Sequence, residues 1–280
     1  MTTPAPIRTL NDGTPLPALG FGTYPLRGEQ GVQAIVSALD TGYRSLDTAF
    51  NYDNEGAVGE AIRRSGIARD ELVVTSKLPG RYHGRVEAGD ALRESLWRLG
   101  LDRLDLYLIH WPNPSVDKYV EAWEALVEAR DDGLVRSIGV SNFTRAQLER
   151  IIAATGVTPA VNQIELHPYF PQMEQRAVNA ELGIVTEAWS PLGKRNAAYG
   201  QRAVLAAAEA HGVTPAQVIL RWHVQLGSVP IPNSGTPARQ AENLDVFGFE
   251  LSDAEVEAIT ALGQADGRLF GGDPDTHEER

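Results

Sequence analysis

At 280 residues the chain exceeds the commonest domain size, yet α/β barrels of about 250 residues fold as one unit, so length does not require a second domain. A net charge of −12 without clustered cations excludes a nucleic-acid surface, because phosphate binding needs concentrated Lys and Arg. With 42% hydrophobic and 22% charged residues, no cysteine and no apolar run near the roughly 18 residues of a membrane span, the composition is that of a soluble globular protein without disulfides or thiolate metal sites.

The opening "MTTPAPIRTL" has neither the basic nor the apolar region of a secretory signal, so a cytoplasmic location is expected. Asp12-Gly13 is a turn signal between two short extended runs and predicts a β-hairpin that plugs the bottom of a barrel. Strand-like and helical runs then alternate. The predicted strands cover 19–24, 43–48, 72–77, 104–110, 135–141, 160–166, 183–190 and 228–233. The predicted helices cover 29–41, 54–65, 85–99, 119–132, 144–155, 173–182, 201–211 with 215–226, and 237–246. Eight strands, each followed by a helix, imply parallel pairing, right-handed crossovers and closure into one α/β, (β/α)8 TIM barrel over residues 1–280. Ser252 with Glu255 three positions on forms a capping box, which opens an extra C-terminal helix in 251–262. The tail "DGRLFGGDPDTHEER" either folds over a site or frays into solvent.

In this architecture catalytic groups sit at the C-terminal ends of strands and on the loops after them. Asp47 ends the second strand, Tyr52 lies in the loop after it, Lys77 ends the third and His110 the fourth. Singly, each has a structural explanation: a turn-forming Asp, a packing Tyr, a surface Lys, a core His bonded to a backbone carbonyl. Lysine is scarce, 3 against 22 arginines, and where arginine is the habitual cation a lysine suggests need for a compact, tunable ammonium. Jointly, an acid, a phenol, an ammonium and an imidazole are costly neighbours unless paired or used. An ammonium beside a phenol favours the tyrosinate and pulls the phenol pKa down, Asp47 aims the ammonium, and a neutral imidazole donates to a carbonyl oxygen. That is a proton donor with a cradle for a developing oxyanion.

The stretches "LGFGTY", "GYRSLDTAFNYDNE", "VTSKL", "LDLYLIHWP", "IGVSNF", "VNQIELHPY", "WSPLG" and "IPNSGTPARQAENLDVFGFELS" occur in order over almost the whole chain. In them the sequence resembles the aldo-keto reductase family, most closely its bacterial branch of 2,5-diketogluconate reductases. The resemblance implies that Asp47, Tyr52, Lys77 and His110 are a catalytic tetrad. It implies NADPH-dependent reduction of aldehydes and ketones to alcohols, with Tyr52 as proton donor and no metal. A cofactor-binding sensor of the same fold with little turnover is the alternative; an unrelated barrel hydrolase with a metal on Asp47 and His110 is a more distant one.

No dinucleotide fingerprint of a doubly wound sheet is present, so the cofactor must lie across the barrel mouth. The resemblance assigns Ser141, Asn142 and Gln163 to the nicotinamide carboxamide and Trp189 to stacking on the ring, although core packing explains Trp189 equally well. It puts Gly22, Thr23, Tyr24 and Asp47 beside the cofactor and wraps Ser190 to Gly193, including Leu192, round the pyrophosphate. Thr236 as N-cap and Pro237 at the first helical position place Ser234 at a helix start suited to an anion, with Arg239 as a phosphate clamp. The resemblance sets the 2′-phosphate of NADP(H) there and the adenosine on Glu242 and Asn243. Asn233 stands where family members commonly carry Lys, so NADPH is expected to be preferred but NADH tolerated. Tyr24, Phe50, Leu78, His110 and Trp111 are expected to line the substrate pocket, with Phe270 and Arg268 from the tail, unless Arg268 is solvated. A monomer acting on a small carbonyl compound, without nucleic-acid or membrane partners, completes the expectation.

Overall fold

In the computed structural model, which describes residues 5–279, every predicted strand and helix is present. A hairpin of β1 (Ile7–Thr9) and β2 (Pro15–Pro17) precedes eight parallel strands: β3 (Phe21–Gly22), β4 (Ser45–Asp47), β5 (Val73–Leu78), β6 (Leu104–Ile109), β7 (Val135–Ser141), β8 (Val161–Glu165), β9 (Val185–Trp189) and β10 (Val229–Pro230). Around them lie α1 (Gly28–Thr41), α2 (Glu55–Ser65), α3 (Arg85–Leu99), α4 (Tyr119–Asp131), α5 (Arg145–Thr155), α6 (Met173–Glu181), α7 (Arg202–His211), α8 (Pro215–Gln225) and α9 (Pro237–Leu244), followed by the extra α10 (Asp253–Thr260). The strands pair in chain order from β3 to β10, as right-handed βαβ repeats require. Of the opening stretch 1–10, from which the absence of a secretory signal is read, the first four residues lie outside the described residues.

Closure of the (β/α)8 barrel is the thinnest part of the ladder. Gly20 N–H donates to Pro230 O and Gly22 N–H to Pro232 O, each at 3.0 Å. Neither proline has an N–H to return, so β10 is shorter than predicted and the seam lacks half its bonds. The Asn233 amide supplies one in their place, Nδ2 to Gly22 O at 2.9 Å.

Alternate residues of each strand point into the barrel. At its floor Leu10 and Leu16 from the hairpin pack with Val73, Leu106, Leu108, Val161 and Val229, so the hairpin is the expected plug. Nearer the C-terminal ends the inward positions turn polar: Asp47, Lys77, Gln163 and Glu187. Outside the sheet, Ile35, Leu39, Leu96 and Trp123 carry the apolar faces of α1, α3 and α4 into the main core, each fully buried side chain of this size contributing about 1.5–3 kcal/mol. A Cβ on Gly59 of α2 would meet Leu99 O at 2.0 Å, so only glycine allows α2 and α3 to approach this closely. The Ser252 capping box is formed, with Ser252 N–H donating to Glu255 Oε2 at 2.7 Å. Among the described residues no single helix is long and apolar enough to cross a membrane.

The tail folds over the barrel mouth. Gln264 N–H donates to Tyr169 O (2.9 Å), Leu269 N–H to Glu165 Oε1 (2.7 Å), Gln147 Nε2 to Pro274 O (3.1 Å) and Asn113 Nδ2 to Glu279 O (2.7 Å).

Candidate active site

The four strand-end residues converge. Lys77 Nζ donates to Asp47 Oδ1 at 2.6 Å and to Thr48 O at 2.8 Å, and reaches Tyr52 Oη at 3.4 Å, the long end of a hydrogen bond. Tyr52 comes from a single turn of 3-10 helix, Phe50–Tyr52, directly after β4. The His110 ring meets the Tyr52 ring edge-on with centroids 5.8 Å apart. Asp47 Oδ2 accepts from Gln163 Nε2 at 2.8 Å, so an ammonium and an amide already occupy both carboxylate oxygens.

Electrostatics correct one expectation. Burial drives the Tyr52 phenol above its ordinary pKa; Lys77 does pull it down, but desolvation, aided by the Asp47 charge, prevails. The phenol therefore stays protonated at neutral pH, the state a proton donor needs. Burial presses Lys77 towards losing its proton, and the charges of Asp47 and Tyr52 with the Asp47 hydrogen bond outweigh it, holding the ammonium above its ordinary value. Glu187, which the sequence reading passed over, donates nothing and accepts from Gln163 Nε2 at 2.9 Å; burial and the neighbouring Asp47 push it up to about 7.

A cavity of about 1060 Å³ runs across the mouth from Tyr52, His110 and Trp111, past Gly22, Tyr24, Asn142, Gln163 and Trp189, over Ser190 and Leu192, to Asn233, Ser234, Arg239, Glu242 and Asn243. It is longer than a small carbonyl compound needs, and its two ends differ in chemistry. At the tetrad end Trp189 Nε1 donates to Asn142 Oδ1 (2.8 Å) and Asn142 Nδ2 to His110 O (3.0 Å), locking Asn142 in its left-handed conformation at φ 64°. At the far end Arg239 opens α9 after the N-cap Thr236 and Pro237, exposed and without a hydrogen bond or ion pair among the described residues, beside Ser234 Oγ, which accepts from Thr236 N–H at 3.0 Å. An acceptor-lined end near a phenol and a free guanidinium at a helix start fit the two ends of a dinucleotide phosphate.

Several predicted residues take other roles. Thr23 and Ser141 are fully buried and do not line the cavity; Thr23 Oγ1 donates to Asp47 O and Ser141 Oγ to Gln163 O, so both brace strands behind it. Phe50 and Leu78 are core residues: Phe50 packs on Tyr82 with Arg98 over its face, and Leu78 points outward because Lys77 points inward. Arg268 neither faces substrate nor lies free in solvent; it covers the Phe170 ring and donates to Gly272 O. Asn233 spends its amide on the Gly22 and Tyr24 carbonyls, and Glu242 accepts from Thr214 Oγ1 at 2.6 Å.

Sequence reasoning also passed over Lys194, which lines the cavity, and Glu279, which meets His110 from outside the cavity lining. Lys194, one of the three lysines, stands over the Phe270 ring at 4.5 Å and the Tyr24 ring at 5.7 Å, so the scarcity that marked Lys77 marks it too. Glu279 carried no local signal. Its Oε1 lies 2.6 Å from His110 Nδ1 and accepts from Asn51 Nδ2, while Oε2 accepts from Gly80 N–H. Burial alone would raise this carboxyl, but His110, Gly80 N–H and Asn51 hold it below the ordinary carboxylate range.

The chain matches the model of the aldo/keto reductase family over residues 18–264. It is 59% identical over 274 residues to 2,5-diketo-D-gluconic acid reductase B of Corynebacterium sp. (strain SHS752001), covering 98% of both chains. It is 46% identical over 276 residues to methylglyoxal reductase DkgA of Escherichia coli (strain K12), again covering 98% of both. A crystal structure of a Gox0644 mutant in complex with NADPH superposes with a TM-score of 0.93 at 43% identity, covering 99% of this chain and 100% of that one.

Proposed function

This chain belongs to the aldo/keto reductase family, and on that premise we propose that it reduces small aldehydes, ketones and dicarbonyl compounds with NADPH, Tyr52 giving the proton. The observation that carries the assignment is the buried chain from Asp47 through Lys77 to Tyr52 on the cavity floor, at 2.6 and 3.4 Å. Bound across the mouth, NADPH supplies the hydride that reduces the carbonyl carbon. Tyr52 gives its proton to the carbonyl oxygen, and Lys77, fixed by Asp47, stabilises the phenolate left behind. His110 orients that oxygen. Gln163 and Asn142 hold the nicotinamide end and Arg239 with Ser234 the phosphate end, with Lys194 near the middle of the groove.

The substrate class rests on relatives named for 2,5-diketo-D-gluconic acid and methylglyoxal, both dicarbonyl compounds. Tyr24 and Trp111, both lining the cavity beside the tetrad, suit small substrates of this kind. We take the working unit to be one barrel, acting as a monomer in the cytoplasm. Of nine large apolar side chains exposed among the described residues, Tyr24, Tyr199 and Phe270 line the cavity, which gives their exposure a reason other than a partner; light scattering tests the monomer.

The deciding experiment is Tyr52→Phe. It should bind NADPH within a few-fold of the parent and lose about 10²–10⁴ in turnover of methylglyoxal and diketo acids. Full turnover would remove Tyr52 from the chemistry. Intact binding with equally negligible turnover in the parent would favour a sensor.

A further inference from the structure

Glu187 is a carboxylic acid at the centre of the barrel that the proposed reaction does not use. It lies on β9 two residues before Trp189, its register neighbours are Gln163 on β8 and Val229 on β10, and it is 2% exposed. The previous inward residue of β9, Val185, packs on the apolar floor, so an apolar side chain would fit the pattern at this level. A buried acid without a cation in direct contact is costly, and such groups tend to be functional.

Its one hydrogen bond has a consequence for Gln163. Nε2 of that amide donates to Asp47 Oδ2 at 2.8 Å and to Glu187 Oε2 at 2.9 Å. Two carboxylates thus take both hydrogens of one nitrogen, and a flipped amide would turn its oxygen towards two acceptors. Gln163 is left with Oε1 for the cavity it lines, an acceptor suited to the NH2 of a carboxamide.

The second consequence is electrostatic. The charged groups acting on Glu187 are Asp47 from β4 and Lys77 from β5; β8 and β10 offer it only Gln163 and Val229. With Glu187 ionised, Asp47, Glu187 and Lys77 sum to one negative charge, which opposes a phenolate forming on Tyr52. With Glu187 protonated they sum to zero.

We propose that Glu187 is a positioning residue for the reduction: touching no reacting atom, it fixes the Gln163 amide towards the nicotinamide carboxamide, and its protonation changes the charge against which Tyr52 releases its proton. This rests on the proton-donor role of Tyr52. Because burial and Asp47 bring the carboxyl to about 7, the change falls within the neutral range: reduction is favoured below it and slowed above it.

Three measurements test this. In the parent, kcat for an aldehyde at saturating NADPH falls through a pH of about 7 to a lower plateau; in Glu187→Gln that inflection is absent. In Glu187→Ala, which frees one hydrogen of Gln163, the Kd for NADPH measured by fluorescence titration rises about tenfold, whereas Glu187→Gln, still an acceptor, keeps it. Independently of turnover, infrared difference titration of the ligand-free parent shows a carboxylic acid C=O band disappearing near pH 7, and Glu187→Gln lacks it. An unchanged inflection in Glu187→Gln overturns the proposal. If that variant does not fold, the absence of the titrating band in the parent does so. An active Tyr52→Phe would instead defeat the proton-donor assignment while leaving the infrared result standing.

Discussion

The floor of the site and its cover are built in different ways. Asp47 and Lys77 stand on the adjacent strands β4 and β5, Gln163 and Glu187 on the adjacent strands β8 and β9, and all four are at most 6% exposed, so the sheet ladder fixes their positions. The tail that covers them has no regular structure between α10 and Glu279 and hangs on separate side-chain bonds, at Glu165, Gln147, Asn113, Asn51 and Gly80. Each such bond is worth about 1 kcal/mol net. The difference means that a change in the floor should disturb chemistry and stability together, whereas a change in the cover should alter access alone.

The largest effect that could break this contrast is expected from Lys77→Met. It leaves Asp47 buried without its ammonium, and removing one partner of a buried pair destabilises by about 3–5 kcal/mol. Turnover should fall by about 10²–10⁴ as the phenolate loses its cation. Urea unfolding and NADPH oxidation rates measure the two losses side by side. If one occurs without the other, the floor is not a single coupled unit.

Arg239 lies at the far end of the cavity and belongs to neither region. Arg239→Ala removes a charge-assisted contact of about 1.5–3 kcal/mol, so the Kd for NADPH should rise about 10- to 100-fold with kcat almost unchanged. The parent should still prefer NADPH, and a kcat/KM for NADH above that for NADPH would contradict the assignment of this end. Asn233→Lys should sharpen the preference. It should also loosen the barrel seam, because the Asn233 amide bonds Gly22 O there.

The same contrast explains what the sequence disclosed. Period-2 and period-3.6 patterns located every strand and helix, and the barrel rule then brought Asp47, Tyr52, Lys77 and His110 to one mouth. Of the substrate residues, Tyr24, His110 and Trp111 line the cavity and Phe50 and Leu78 do not; Leu78 failed because strand parity was not followed through. If Lys77 points inward, Leu78 must point out, and if Trp189 faces the mouth, Glu187 lies inside below it; both were legible and neither was used. Phe50 depended on how one short turn after β4 distributes its side chains between the cavity and α3, which no periodicity encodes. Glu279 meets Asn51 across 228 positions through bonds that only the folded tail creates.

The smallest effect, and the one that tests the cover alone, belongs to Glu279. Its carboxylate sits 2.6 Å from His110 Nδ1 and so ties the end of the tail to the residue assigned to orient the substrate oxygen. Glu279→Gln weakens that hold, and KM for a neutral aldehyde should fall about fivefold, the equivalent of about 1 kcal/mol, with kcat and urea stability unchanged. The pH dependence has a definite sign. Because the folded-state pKa is depressed, the closed tail is stabilised above the ordinary carboxylate pKa of about 4.5 and loses that contribution as pH falls through the lower folded value. Hydrogen exchange at the Leu269 and Glu279 amides, corrected for intrinsic rates, should therefore accelerate in acid in the parent and be fast at all pH values in the variant. Equal KM in parent and variant would mean that the tie between Glu279 and His110 does not limit access to the mouth, and the cover would then be a passive strap.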